Sequence, residues 1–261
     1  MRARYGSAMT GCVVSAVPLE HGGPFTGSLH DAIYAALRKA LIVGELRPGH
    51  TFSIRTLAAR FGTSLIPARD ALRRIVAERG LVVLPNRTLR VPTMTRPRFQ
   101  ELLQVRLSLE PMLAHRATGA LSATALRELD VINEDMQAAV PQNDLKRYLT
   151  ANHQFHFTLY RAAGSEIAFP IVESLWMQVG PFLNGVFTSA GTQQARDNHG
   201  EVLKALRRHD PVAAAAATAR DLADAADVIL ARDDFVTDAE RTGALTRRPN
   251  SRHQKQQEEM A

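Results

Sequence analysis

Four side chains in the second half of this 261-residue sequence carry donor atoms suited to a metal ion. Asn152 and His156 are four residues apart, a spacing that puts both on one face of a helix. His199 and Asp221 fall on two later helical stretches, and a bundle of helices brings such side chains inward to a common point. Two imidazole nitrogens and two oxygen donors suit a divalent transition metal such as Zn, Ni or Mn. A plainer reading stands beside this one, because the chain has nine histidines and a single histidine is most often simply hydrogen-bonded. Arg106 carries a guanidinium suited to pairing with a carboxylate. A salt bridge to Glu110, four residues on, is one such pairing. Trp176, Phe182 and Phe187, at wide helical intervals, read as core.

A second set of chemical residues is basic and lies in the first half. Ala68, Leu72, Ile75 and Val76 form the buried face of a helix over Leu65 to Glu78, which leaves Arg69, Arg73 and Arg74 facing outward. The planar fork of arginine pairs with guanine or with phosphate in two places. Ser64 stands where the cap of this helix belongs, and Pro67 is tolerated in its first turn. Arg87 sits at the tip of a turn, Pro85 to Thr88, between two β-rich runs, Leu81 to Leu84 and Leu89 to Val91.

The elements that position these residues follow from the hydrophobic pattern. Leu29, Ile33, Leu37 and Leu41 mark an amphipathic helix that stops at Gly44. Ile54 to Phe61 makes a second helix ended by Gly62, and together with the arginine-bearing third it forms a helix-turn-helix. The two β-rich runs add a wing. From Arg98 onward the pattern is helical throughout, at about 98–118, 123–140, 144–163, 166–188 with interruptions near Pro170 and Gly180-Pro181, 193–208 and 211–235. Asp210 and Pro211 are suited to open the last of these. The expected fold is mainly α: an N-terminal winged helix-turn-helix with a small β-hairpin wing, then a C-terminal all-α antiparallel helical bundle. The division is a leader at 1–26, a DNA-binding domain at 27–95, a ligand-sensing domain at 96–240 and a tail at 241–261, with leader and tail expected to be disordered.

Charge supports the division. Residues 27–96 hold 12 Arg and Lys against 4 Asp and Glu, net +8, whereas residues 97–240 hold 13 against 19, net −6. A basic segment of domain size beside an acidic one fits a nucleic-acid module joined to a module of another kind. No window approaches the roughly 18 consecutive apolar residues that a membrane-spanning helix needs. The short apolar run Val13 to Val17 is interrupted by Ser and flanked by Gly and Thr, unlike a secretory signal. The single cysteine, Cys12, excludes an internal disulfide, and the cytoplasm is the expected location.

At this point the residues carry a resemblance. The segments "ALRKALIVGELRPG", "LAARFGTSLIPARDALRRIVAERGLVVLPNR" and "RVP" resemble the winged-helix domain of the GntR family of transcription regulators. The segments "LLQVRLSLEPMLAHRAT", "NHQFHFTLYRAAGS" and "NHGEVLKALRRHD" are similar to the FCD ligand-sensing domain of its FadR subfamily. The first resemblance implies operator contacts from Arg55 and Arg69. The full expected DNA-binding set is Arg55, Ser64, Leu65, Arg69, Arg73 and Arg87. Leu65, followed by Ile66, stands where many members have an arginine or a polar residue, and leucine cannot donate to guanine; a thymine methyl is the contact open to it. The second resemblance implies a metal held by an Asp and a His four apart and by two later His. Here Asn152 replaces the Asp and Asp221 replaces the last His, while His156 and His199 are in place. It also implies that a small organic acid completes the coordination, and Arg106, within the matching "VRLSLE" segment, is the candidate to pair with the carboxylate of that effector.

These readings lead to a homodimeric regulator that binds double-stranded operator DNA at an inverted repeat, is modulated by a small organic acid, and is not an enzyme. A metal-dependent hydrolase is the competing class, but the sequence supplies no further positioned acid or base. A basic architectural protein without sequence preference is the third.

Overall fold

The computed structural model describes residues 28–188, 197–232 and 235–237. The expected leader, with Cys12, and the expected tail lie outside the described residues, as does the side chain of Phe187.

Helix α1 (Leu29–Ile42) buries Ile33, Leu37, Ala40 and Leu41 along one stripe, as its four-residue repeat requires. It ends at Gly44, whose φ of 71° is the left-handed conformation that closes a helix C-terminus. Helices α2 (Ile54–Arg60) and α3 (Leu65–Ala77) follow as the helix-turn-helix. The buried face of α3 is Ala68, Ala71, Leu72 and Ile75, with Val76 half-buried. Ser53 caps α2 by accepting from the Thr56 amide at 3.0 Å. Ser64 occupies the N-cap of α3 in extended conformation, but its side chain makes no capping hydrogen bond, contrary to expectation. The hydroxyl is exposed, so water competes for it.

The wing is a three-stranded antiparallel sheet of β1 (Thr51–Phe52), β2 (Val82–Val83) and β3 (Leu89–Arg90), in the order β1-β3-β2. Phe52 and Val83 both pair with Leu89, and Thr51 and Val82 with Arg90. Strand β1 had no signal in the sequence, because two residues are too few to show alternation. It forms because β3 offers a second edge.

Six helices complete the described chain: α4 (Arg96–Ala120), α5 (Ala123–Ala139), α6 (Leu145–Ala162), α7 (Ala168–Thr188), α8 (Asn198–Arg207) and α9 (Pro211–Leu230). Helix α4 packs along α9, α5 along α6, and α8 along α9. Small residues buried on α4 (Ala114, Ala117) and α9 (Ala214, Ala217) allow close approach. Asp210 caps α9 by accepting from the Ala213 amide at 2.9 Å, with Pro211 in the first turn, as expected.

Three expectations require correction. Helix α7 is not interrupted: Pro170 lies in its first turn, where no helical donor is lost, and Pro181 is inside it. The residue before a proline is normally driven out of helical conformation by its Cβ, and Gly180 has none. Helix α8 begins at Asn198, with Asp197 accepting from the Gly200 amide at 2.8 Å, rather than at 193; residues 193–196 lie outside the described residues. Helix α9 stops at Leu230 instead of 235. Beyond it Phe235 packs edge-on to Phe99, with centroids 5.5 Å apart, and the Val236 amide donates to the Met94 carbonyl at 3.1 Å. Among the described residues no helix is long and apolar enough to cross a membrane.

Candidate metal centre and DNA-facing surface

Helix α6 carries Asn152, His156 and Tyr160 at successive four-residue steps, so all three share a face. That face meets His199 from α8 and Asp221 from α9. His199 Nε2 lies 3.0 Å from Asn152 Oδ1 and 3.2 Å from His156 Nε2. His156 Nε2 lies 3.2 Å from Asp221 Oδ2, and His199 Nδ1 is 3.7 Å from Asp221 Oδ1. The ligating atoms of His156, His199 and Asp221 all fall within 4.8 Å of one another. Donors that share an ion at about 2.0–2.2 Å stand about 3–3.5 Å apart, so the edges of 3.0 and 3.2 Å fit a coordination polyhedron. The structure brings together all four residues expected to form the site.

The hydrogen-bond chain behind His156 supports the same use. Glu110, fully buried on α4, accepts from Arg106 Nε at 2.5 Å, from Tyr160 Oη at 2.8 Å and from Trp176 Nε1 at 3.1 Å. The single proton of Tyr160 is given to Glu110, so at the 3.0 Å contact with His156 Nδ1 the phenol accepts and the imidazole donates. His156 Nε2 is then left with a lone pair aimed at an Asp221 carboxylate oxygen. A cation held among His156 Nε2, His199 Nε2 and Asp221 Oδ2 gives all three donor atoms a common partner. A buried partner that fixes the tautomer of a ligating histidine is the usual outer support of a metal site.

Electrostatics agree. Burial lowers the pKa of His199 from its ordinary value, favouring the neutral ring that a metal ligand requires. Burial alone pushes the Asp221 carboxyl up, but positive charge at this point, on the His199 and His156 rings when they are protonated and on Arg106, outweighs it and lowers the pKa to about 2, so the carboxylate is stabilised by a cation among these donors. Asp221 therefore keeps a negative charge in the site. Tyr160 is pushed well above its ordinary value by burial and by Glu110, so it remains a neutral relay.

Arg106, expected as an effector contact, is paired with Glu110 through Nε and, at 3.3 Å, through Nη2. The alternative reading of this residue is what the geometry shows. Its guanidinium also lies over the Trp176 ring, 4.9 Å from the centroid. Arg106 lines a cavity between α4, α7 and α9 whose other walls are apolar, among them Phe99, Leu102, Val179, Leu183 and Leu222.

On the DNA-binding half, Arg55, Ser64, Leu65, Arg69, Arg73 and Arg87 are all exposed. Arg87 sits at the wing turn with φ 60°. Arg73 lies 3.5 Å from Asp70, a loose surface pair. Arg74, expected to face outward with Arg69 and Arg73, instead turns back to α1. It donates to Asp31 at 2.8 Å and lies over the Tyr34 ring at 3.8 Å, where a carboxylate and an aromatic face both attract it.

Helix α7 touches both halves. Toward α1–α3, Glu173 pairs with Arg38 at 2.7 Å, Ser174 Oγ donates to the Glu78 carbonyl at 3.1 Å, and Asn184 Nδ2 donates to the Gly44 carbonyl. Toward the metal centre, Trp176 reaches Glu110 and faces His156 with ring centroids 5.1 Å apart.

Residues 29–91 match the bacterial regulatory proteins of the gntR family, and residues 101–224 match the FCD domain. The HTH-type transcriptional regulator McbR of Escherichia coli (strain K12) is 29% identical over 177 residues, covering 67% of this chain and 80% of McbR. The gluconate operon transcriptional repressor of Bacillus subtilis (strain 168) is 24% identical over 174 residues, covering 67% and 70%. The solved structure of E. coli McbR/YncC superposes with a TM-score of 0.74 at 26% identity, over 78% of this chain and 98% of that one. A GntR regulator from Rhodococcus sp. RHA1 shares the fold, with a TM-score of 0.65 at 21% identity over 78% and 99%.

The chain belongs to the GntR family. It is a DNA-binding transcriptional regulator with an FCD effector-binding domain, and such regulators are not enzymes. The GntR match ends at residue 91 and the FCD match begins at 101, within α4, so the linker is short.

Glu110, Tyr160 and Trp176 support the candidate centre but were not singled out from the sequence as a set. Tyr160 follows His156 by four residues and Glu110 follows Arg106 by four, so each local pair was visible. Their meeting across α4, α6 and α7 was not. The α7 contacts with the DNA-binding half left no sequence signal at all.

Proposed function

We propose that this GntR regulator, in the manner of the FadR subfamily, senses a small organic acid at a divalent metal held by Asn152, His156, His199 and Asp221. It works as a homodimer on an inverted-repeat operator, with DNA heads formed by residues 27–95 and sensors by 96–240. The observation that carries the reading is that the ligating atoms of His156, His199 and Asp221 lie within 4.8 Å of one another, with Asn152 Oδ1 3.0 Å from His199 Nε2. A bound Zn, Ni or Mn ion supplies positive charge that attracts an acidic effector. Its preference for imidazole and oxygen donors matches this set. Asn152 contributes no charge, so the protein donors carry one negative charge, from Asp221, and an anionic effector compensates the remainder. Arg106 lines the apolar cavity and has donors beyond the two given to Glu110, which supports a second role in pairing with the effector carboxylate.

Signal transfer follows from α7. A ligand that moves Trp176 moves the helix whose other contacts hold Arg38, Glu78 and Gly44 of the head. The effector shifts operator affinity only by the difference in its affinity for the two head placements.

The test is a thermal-shift screen of small carboxylates on metal-loaded and chelator-stripped protein. A carboxylate that stabilises only the loaded form supports the proposal. If stripping changes nothing and no acid shifts the melting point, the metal reading is refuted. For the DNA half, Arg69→Ala abolishes specific operator binding while leaving the melting point unchanged. Specific binding retained in an anisotropy titration overturns the assignment of α3 as the recognition helix.

A further inference from the structure

The first turn of α3 presents two large apolar side chains to solvent: Leu65 is 41% exposed and Ile66 69% exposed. Successive helical residues turn by about 100°, so Leu65, Arg69, Arg73 and Ile66 occupy one sector of about 100° that starts beside the core stripe of Ala68, Ala71, Leu72 and Ile75, at Leu65, and reaches its far side at Ile66. Ile66 points almost directly away from that core. Neither residue is needed for packing, and a β-branched residue in the first turn adds nothing to helix stability. Yet both share the face that carries the two exposed arginines.

A major groove offers few apolar features to such side chains. Guanine, cytosine and adenine edges present donors and acceptors, whereas thymine presents its C5 methyl group. We propose that Leu65 and Ile66 are specificity-determining residues that pack against thymine C5 methyl groups at adjacent positions of each operator half-site, while Arg69 and Arg73 engage guanine edges or phosphates. The inference rests on the reading of α3 as the recognition helix and deepens it. Leu65 and Ile66 replace hydrogen-bond readout by methyl readout at the end of the helix that enters the groove first. The sites so selected hold T·A pairs beneath the N-terminus of α3, with G·C readout confined to the positions reached by the arginines.

The experiment begins with selection of binding sites from a randomised duplex by the full-length protein. In the selected duplex each thymine is then replaced singly by deoxyuridine, which removes the methyl group and leaves every hydrogen-bonding group in place. Burying one methyl-sized group is worth about a four-fold change in affinity. A loss of about three- to ten-fold at one or two thymines per half-site is therefore expected, and none at the others. Leu65→Ala and Ile66→Ala should abolish the preference for thymine over uracil at their own positions, and because both residues are exposed these variants fold. Equal affinity of the wild-type protein for thymine and uracil duplexes at every position overturns the proposal. So does a thymine preference that survives in both alanine variants. Arg69→Ala, run in parallel, separates the two levels: if it loses specific binding while uracil is tolerated everywhere, the recognition helix stands and methyl readout fails.

Discussion

Replacing Gly180 by alanine tests how closely the DNA head and the sensor are joined. A Cβ at this position would stand 2.3 Å from the Leu41 carbonyl oxygen and 2.4 Å from that of Ile42, both at the C-terminus of α1. Ordinary contact between such atoms needs about 3.3 Å, so α1 and α7 must separate by about 1 Å. The obstructing atoms are backbone and cannot rotate aside. Overpacking of this kind costs about 1–3 kcal/mol. Alanine in a helix gains about 1 kcal/mol over glycine, which opposes the clash, but a Cβ before Pro181 adds strain of its own. The net expectation is a loss of about 1–2 kcal/mol, or about 2–8 °C in melting temperature. Urea unfolding followed by the emission of Trp176, the sole tryptophan of the sequence, reads it directly. Gly119→Ala is the control: it also lies in a helix, and its Cβ would meet nothing within 4 Å. That variant should be unchanged or more stable by up to about 1 kcal/mol. If Gly180→Ala behaves like the control, the close approach of α1 and α7 does not exist in solution and the route from sensor to head through α7 fails with it.

Other predictions concern the site and its supports. Glu110→Gln leaves Arg106 buried without its carboxylate and turns an acceptor of four hydrogen bonds, from three residues, into a part donor; a loss of about 3–5 kcal/mol is expected in urea unfolding. Asp221→Asn removes the only formal charge among the proposed ligands, and calorimetric titration with Zn should show at least the roughly 10–100-fold loss that follows removal of a mere outer-shell partner. Asn152→Asp should shift the affinity the other way. Burial, with Arg38 and His156 adding to it, lowers His153 to about 4, so the folded state holds its ring neutral. A depressed folded value means that the contribution is complete above pH 6.5 and is lost as the pH falls from 6.5 toward 4, by about 2–3 kcal/mol at the acid end. In His153→Phe, whose ring also packs on Phe157, the melting temperature should fall less steeply across that window.

The sequence by itself determined the elements and their order. The repeat of Leu29, Ile33, Leu37 and Leu41 is a local consequence of 3.6 residues per turn, and the caps at Gly44, Asp210 and Pro211 are local consequences of which residues satisfy a helix end. The same locality made Asn152 and His156 readable as one face, and Arg69 and Arg73 as another. Resemblance carried His199 and Asp221 to the same site, where spacing alone favoured an ordinary hydrogen-bonded histidine. Tertiary structure decided which polar groups meet. Arg106 was readable as an effector contact or as a partner of Glu110, and only the burial of Glu110 beneath Tyr160 and Trp176 showed where its charge is used. Arg74 left the outward face because Asp31 and Tyr34, some forty residues earlier, stand beside it. Phe235, which lies beyond the end of α9 at Leu230, packs on Phe99 of another helix, a contact that no local pattern encodes. Periodicity fixes the direction of a side chain about its own helix, whereas its partner depends on how the helices pack, and that is a property of the whole core.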